Sequence, residues 1–416
     1  MSEGKIARLE EAQVSGKRVL VRVDFNVPMA DGKVSDDTRL QSALPTIEWL
    51  KDKGARIILL AHFGRPKGKV DTSQSLKPVV APLSERLGTP VRFAGDCIGK
   101  QAEKAVGELK DGDVLLLENT RFHAGEEAND AEFAAQLAAL GEIYVNDAFS
   151  AAHRAHASTE GVARLLPAYA GLALQRELDH VTAALENPER PLLAIVGGAK
   201  VSTKIDLLMN LVTKVNRLFV GGAMANTFLA AKGADVGKSL YEPDLLGTAR
   251  DIITAAEKSG CQLLLPEDVV VARELKAKAA RRVAGLDEIA RDEMILDCGP
   301  ATIDALADSI ESAKTLVWNG PLGAFEMTPF DTGTVEAARF AAQRVRERKL
   351  VAVAGGGDTV SALNHARVAG DFTFVSTAGG AFLEWLEGKP LPGVKILISR
   401  AEEMRQNSGN PACAAG

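Results

Sequence analysis

Nine short apolar runs, each of strand length and separated by helical stretches, constrain this chain more than any other feature. They lie at 19–25, 57–61, 114–118, 143–146, 192–196, 217–220, 262–265, 315–318 and 350–354. Parallel strands need a crossover of a dozen or more residues, usually a helix, so this rhythm predicts parallel α/β units. Several runs are apolar throughout, as in Leu192-Leu193-Ala194-Ile195-Val196. That pattern suits strands covered by helices on both faces. The expected architecture is doubly wound, with ligands bound beyond the carboxyl ends of the strands.

The chain has 416 residues, more than the roughly 250–300 at which one hydrophobic core stops growing, so two domains are expected. Residues 172–187 keep helical spacing through Leu174, Leu178, Val181 and Leu185, and then meet Pro188 and Pro191. Prolines directly before a buried strand end the helix and restart the chain, which places a boundary there: 1–185 and 186–400. A further helix is predicted over 244–259, closed by Gly260 in the left-handed capping position. The tail from Asn407 is small and polar, and is expected to be loosely ordered.

The formal charge is -6 and no basic block stands out, which gives no reason to expect nucleic-acid binding. Cys97, Cys261, Cys298 and Cys413 are far apart and form no C-x-x-C pair. Neither a zinc ribbon nor a disulfide framework is indicated, and a reducing compartment fits. No run approaches the roughly 18 apolar residues of a membrane span, and the N-terminus has no apolar leader segment, so a cytoplasmic protein without a membrane partner is expected.

The strand ends have two characters. In the first half the runs stop at Val23-Asp24-Phe25-Asn26, His62-Phe63-Gly64-Arg65, Arg121-Phe122-His123 and His153-Arg154-Ala155-His156. In the second they stop at Gly197-Gly198-Ala199-Lys200, Gly221-Gly222, Asn319-Gly320-Pro321 and Gly355-Gly356-Gly357-Asp358. Arginine gives planar recognition of carboxylate or phosphate, whereas glycine lets backbone N–H groups approach a polyphosphate. A phosphoryl group moving between two sites is the economical reading.

Each motif also has a plainer explanation. Gly233-Ala-Asp-Val-Gly237-Lys238-Ser239 has three residues between its glycines where a Walker A loop needs four, and no G-x-G-x-x-G follows a strand, which disfavours a dehydrogenase. Gly197 to Lys204 could open a helix whose positive end faces an anion, with Lys200 and Lys204 one turn apart; a tight turn with two solvated lysines gives the same string. The triple glycine at 355–357 implies a close approach or an unusual backbone path, and Asp358 could hold Mg2+ directly or through water, or simply cap a helix. Asp24 and Asn26 fall on one side of an extended run, or else form an Asx turn before Pro28. Glu326, on a turn-rich loop, is a candidate acceptor for ribose hydroxyls or a solvated carboxylate. Arg22, Arg39, Arg65, Arg121 and Arg154, with His62, His153 and His156, imply a ligand with more than one negative group, because a cluster left unneutralised would repel itself. His153-x-x-His156 lacks a third metal ligand at suitable spacing.

Together these strings resemble the phosphoglycerate kinase family, from about residue 17 to about residue 400. Nine ordered motifs carry the resemblance: Arg22 to Pro28, Gly64-Arg65-Pro66, Leu117 to His123, Gly125-Glu126-Glu127, Ala152 to Ser158, Gly197 to Val201, Asn319 to Gly323, Gly355 to Thr359 and Leu383 to Gly388. The resemblance implies two Rossmann-like lobes joined by a hinge helix, with the segment 401–416 returning to the first lobe. It implies reversible phosphoryl transfer between 1,3-bisphosphoglycerate and ADP, giving 3-phosphoglycerate and ATP, with Mg2+ carried by the nucleotide, in a monomer. By motif, Asp24, Asn26, Arg39, His62, Arg65, Arg121 and Arg154 would bind the glycerate. Lys204, Glu326, Gly355, Gly356, Gly357, Asp358 and Thr359 would hold nucleotide, with Asp358 near the metal. Arg39, Lys200, Gly379 and Gly380 would serve the phosphoryl group in transit. The chain departs from the family at Ala61, at Ser150-Ala151 and at Ala378, which stands where a glycine is usual. The rival readings are a two-domain dehydrogenase and a non-catalytic scaffold on the same fold.

Overall fold

A computed structural model describes residues 5–408; Cys413 and all but the first two residues of the tail from Asn407 lie outside the described residues. The chain divides into two compact units, Met1–Leu178 with Pro390–Gly416, and Asp179–Lys389.

The first unit is built on a six-stranded parallel sheet in the order Val91–Ala94, Val114–Leu117, Arg56–Leu60, Arg18–Arg22, Ile143–Asn146, Ala168–Ala170. Val19, Val21, Ile57, Leu59, Val114 and Leu116 pack on one face with Leu40, Ile47 and Leu50 of the helix Thr38–Asp52. Leu20, Ile58 and Leu115, which alternate with them along the strands, are buried too. Burial on both faces is why these strands read as continuous apolar runs. The chain winds from Arg18–Arg22 to one side of the sheet and returns at Ile143–Asn146 on the other, so the switch point lies between these two strands.

The second unit repeats the scheme with the order Gln262–Leu264, Arg217–Val220, Leu192–Val196, Thr315–Asn319, Val351–Gly355, Phe374–Ser376. Its switch point lies between Leu192–Val196 and Thr315–Asn319, which pair directly. Between its two halves the chain forms a three-stranded antiparallel sheet, with Asp268–Ala272 flanked by Arg281–Gly285 and Met294–Cys298. Its strands have no helices between them, so they carry none of the strand–helix rhythm by which the parallel strands are recognised. The short outer strands Val91–Ala94, Ala168–Ala170 and Phe374–Ser376 are likewise additions, since three or four residues carry little periodic signal.

The helix Leu172–Leu185 begins where the spacing predicts and crosses the division between the units. Its start is fixed by Asp147, whose Oδ1 accepts from the backbone N–H of Ala173 at 2.8 Å and of Leu174 at 3.3 Å. The helix Leu246–Ser259 ends at Gly260 with φ 73°, as expected. The helix Pro392–Ser408 belongs to the first unit, where Gly393 donates to the carbonyl of Ala152 at 2.8 Å and Arg400 donates to that of Leu166. No helix among the described residues is long and apolar enough to cross a membrane.

Candidate active site

In the first unit the polar strand tails meet at the switch point. Asp24 and Asn26 follow Arg18–Arg22, His62 and Arg65 follow Arg56–Leu60, Arg121 follows Val114–Leu117, and Ser150 and Arg154 follow Ile143–Asn146. Regular pairing of the first strand stops at Arg22, so Asp24 and Asn26 do not share a pleat. Instead the Asn26 N–H donates to Asp24 Oδ1 at 3.0 Å, an Asx-type turn, and Asn26 Oδ1 accepts from Gly64 N–H at 3.0 Å.

Arg39 sits in the first turn of Thr38–Asp52. The positive end of a helix disfavours a cation, and Asp24 offsets this by accepting from Arg39 Nη1 at 2.7 and 2.9 Å. Ser150 Oγ donates to the same carboxylate. Ser150, a departure from the family string, thus orients Asp24. Arg65 is exposed and forms no ion pair among the described residues, and Arg154 is exposed beside His153, its Nε 3.1 Å from His153 Nε2. Arg121 is only 7% exposed; burial lowers its pKa, and its Nη1 donates to Gly64 O at 2.9 Å while Glu127 lies 3.3 Å from Nε.

Asn119 holds this arrangement together. Its Oδ1 accepts from Phe63 and Arg121 N–H, and its Nδ2 donates to the carbonyls of Phe63 and Gln74, at 2.7–3.2 Å. A fully buried asparagine with every polar atom used ties the tails of two strands and the 74 loop into one body. Nothing in the local sequence signals this role, because its partners lie 45 and 56 residues away.

The histidines do not add charge as a simple basic patch would. Burial, with Arg22 and Arg121 nearby, pushes His62 well below its usual range. Burial first, then Arg121, Arg22 and Arg154, brings His156 down to about 4. Both rings are therefore neutral at pH 7, and the positive potential comes from the arginines. Arg22 is itself 1% exposed and lies behind the site, where it donates to Ser158 Oγ at 2.8 Å, to the Val23 carbonyl and to His62 Nδ1.

In the second unit the glycine turns also meet at the switch point. A Cβ on Gly197 would fall 1.8 Å from the carbonyl oxygen of Pro321, so the two turns cross in contact. Lys204 straddles them, donating to Gly197 O at 2.6 Å, Asn319 Oδ1 at 2.7 Å and Asn319 O at 3.3 Å. Burial pulls its pKa down to about 8, against the opposing pull of Asp358. Lys200 and Lys204 flank a single turn, Val201–Thr203, rather than sharing a helix face; both have extended or irregular backbone, and only Lys200 is exposed. The helix starts after them, at Ile205.

The triple glycine closes the strand Val351–Gly355 and opens the helix Gly357–His365. Gly356 has φ 103°, where a side chain is strained, and a Cβ on Gly355 would lie 2.4 Å from Phe382 Cδ1. Gly357 and Asp358 are exposed at the helix start; Gly356 occupies the capping position and Asp358 lies within the first turn. Thr359 is buried, and its hydroxyl donates to Gly355 O while accepting from Gly320 N–H. Gly379 and Gly380 open the helix Gly379–Leu386 after the buried Ala378, and Gly379 abuts the backbone of Gly356 and Gly357.

A cavity of about 310 Å3 opens beside these turns. Gly198, Gly222, Pro321, Glu326 and Asp358 line it, with Leu240, Leu296 and Leu322 supplying apolar wall. Asp297, also in its lining, was not singled out by sequence. Its carboxylate accepts from Cys298 and Gly333 N–H, and burial pushes its pKa up to about 7. An apolar slot beside glycine turns, a lysine and an exposed carboxylate suits a nucleoside polyphosphate.

The family model described as Phosphoglycerate kinase matches residues 9–389. The chain belongs to the phosphoglycerate kinase family. It is 63% identical over 398 residues to the phosphoglycerate kinase of Maricaulis maris, covering 96% of this chain and 99% of that one. The enzyme of Sinorhizobium fredii is 64% identical over 384 residues, 92% of this chain and 96% of its own. Among solved structures, phosphoglycerate kinase from Coxiella burnetii superposes with a TM-score of 0.89 at 43% identity, covering 96% of this chain and all of that chain. The Pyrococcus horikoshii phosphoglycerate kinase gives a TM-score of 0.80 at 30% identity over 96% of this chain and all of its own. The two-lobed α/β fold expected from sequence is thus shown, as is the activity of a phosphoglycerate kinase: reversible phosphoryl transfer between 1,3-bisphosphoglycerate and ADP, a step of glycolysis.

Proposed function

We propose that the first unit binds the glycerate and the second the nucleotide, divided functionally as 1–185 with 401–416 and 186–400. Arg39, Arg65, Arg121 and Arg154 supply charge to the phosphate and carboxylate of 3-phosphoglycerate, His62 adds a neutral donor, and Asp24 and Asn26 accept from its hydroxyl. Lys204, Glu326 and Gly355 to Thr359 hold ATP or ADP, with Asp358 facing Mg2+. The metal arrives as part of the nucleotide complex and is substrate. An exposed Asp358 without an ion pair among the described residues, in the wall of the 310 Å3 cavity, fits that hard cation. Lys200 and Arg39 neutralise the phosphoryl group in transit, and Gly379 and Gly380 offer it backbone N–H groups at the start of their helix.

No dedicated base is needed, because the attacking carboxylate is already ionised at neutral pH. Catalysis rests on alignment and on cancelling charge over the equatorial oxygens. Since each unit carries its own ligand, in-line transfer follows hinge closure about the helix Leu172–Leu185, which also excludes water. The enzyme works as a cytoplasmic monomer.

The observation that carries this reading is the segregation of residues: arginines at the switch point of one sheet, glycine turns and Lys204 at that of the other. The test is 3-phosphoglycerate-dependent ADP formation from MgATP, with wild type beside Arg39→Ala. Turnover that needs both substrates and falls at least 100-fold in the variant, with ADP affinity retained, is the expected result. Loss of ADP binding with turnover preserved would overturn the assignment.

A further inference from the structure

We infer that Asp96, Cys97 and His123 form a binding site for a divalent cation of the zinc class, separate from the nucleotide-borne metal. One ligand atom from each of the three lies within 4.8 Å of the others, the one such group among the described residues. Asp96 follows the strand Val91–Ala94 by two residues, and His123 ends the turn Thr120–Phe122 that follows Val114–Leu117. Neighbouring parallel strands therefore deliver both segments to the same end of the sheet.

The groups are already held. His123 Nε2 lies 2.7 Å from Asp96 Oδ1, and its ring stacks on Phe133 with centroids 5.2 Å apart. The same Asp96 oxygen accepts from the backbone N–H of Cys97 at 2.7 Å. An Asp–His hydrogen bond alone would account for two of the three residues, but not for the Cys97 sulfur, which is a free thiol fully buried beside them.

Zinc bonds of about 2.0–2.3 Å in a tetrahedron put ligand atoms roughly 3.3–3.8 Å apart, so the hydrogen-bonded His123–Asp96 pair opens by a fraction of an ångström while the widest spacing of the set closes by about 1 Å at most. The cation enters between His123 and Asp96, replacing their hydrogen bond with two metal bonds, and the Cys97 thiol releases its proton to solvent as the metal–sulfur bond forms; no redox change is involved. Sulfur, nitrogen and oxygen together select zinc or its borderline neighbours over Mg2+ or Ca2+, which demand oxygen ligands. Asp96 and His123 also line a cavity of about 650 Å3, which supplies water for the fourth position. Glu118 lines the same cavity but is not a ligand, because its carboxylate is taken by Ser75 Oγ and by the N–H groups of Leu76 and Asn119.

The test titrates the metal-stripped full chain with Co2+, then with Zn2+ in competition with a chromophoric chelator. One equivalent of Co2+ with a thiolate-to-cobalt charge-transfer band, displaced by Zn2+, is expected. Zn2+ affinity should fall at least 10-fold in Cys97→Ser and in His123→Gln, and remain unchanged in Cys413→Ser. Asp96→Asn, at the surface, guards against misfolding of the buried variant: it should weaken Zn2+ at least 10-fold while 3-phosphoglycerate-dependent turnover stays at the wild-type level. Absence of the band, or Zn2+ affinity unchanged in Asp96→Asn and His123→Gln, overturns the site.

Discussion

Arg22 Nη2 donates to His62 Nδ1 across 2.9 Å, and since a guanidinium has no acceptor this bond runs one way only. The proton of the neutral His62 ring must therefore sit on Nε2. Imidazole 15N shifts should show that tautomer and no protonation of His62 in the range where an ordinary histidine titrates. Arg22→Met should release the tautomer and destabilise the first unit by about 1–3 kcal/mol, the cost of leaving buried acceptors without their donor. A His62 that titrates near its ordinary value in the wild type would contradict the arrangement.

Asp147 should make the start of the helix Leu172–Leu185 sensitive to pH. Burial pushes its carboxyl up to about 7 from 3.8. Between those values the folded chain holds a proton the unfolded chain has lost, so the stabilisation is full at the acid end and disappears as pH rises through 7. Asp147→Asn keeps an acceptor for Ala173 and Leu174 but cannot ionise. Relative to wild type it should gain on the order of 2–4 kcal/mol between pH 5 and pH 8. Urea unfolding of both proteins at the two pH values decides this, and a constant difference would rule it out.

Lys204 predicts a pH dependence on the nucleotide side. With its pKa pulled down to about 8, the free protein loses that charge between pH 7 and 9, and ADP affinity should weaken over that range. Lys204→Met should lower ADP affinity about 10–100-fold, as expected for a charge-assisted hydrogen bond, and flatten the profile. Calorimetry with ADP and with 3-phosphoglycerate separates the effects: glycerate affinity should be unchanged. A profile as steep in the variant as in the wild type would assign the titration elsewhere.

Gly355→Ala should cost about 1–3 kcal/mol through overpacking, because its new methyl group meets the Phe382 ring. Phe382→Leu on the same background should recover part of the loss, giving a coupling of about 0.5 kcal/mol or more in a double-mutant cycle. Additive losses would mean that the glycine is needed for another reason.

Much of this was readable from the chain. The helices around Leu178 and Ile252 declare themselves through the spacing of their apolar positions, and the strands around Ile195 and Val317 through burial on both faces, which leaves continuous apolar runs. The charged residues of the site stood out because arginine at several strand ends needs an explanation. What escaped was whatever depends on contacts distant in sequence. Asn119 looks like any loop asparagine until Phe63 and Gln74 are beside it, 56 and 45 residues away. The neutrality of His62 and His156 follows from burial, which no spacing reveals. Lys200 and Lys204 looked like a helical pair because i and i+4 are neighbours only if a helix runs between them, and here Val201–Thr203 is a single tight turn.

Because Asn119 fastens Phe63, Gln74 and Arg121 to one another, the loops that carry Arg65 and Arg121 cannot drift apart independently. The spacing between those charges then acts as a ruler whose length is fixed inside the protein and not by the ligand. An acid with its two negative groups set further apart cannot be accommodated by a shift of one loop. Any descendant of this chain that came to act on a longer substrate would have to undo the asparagine first.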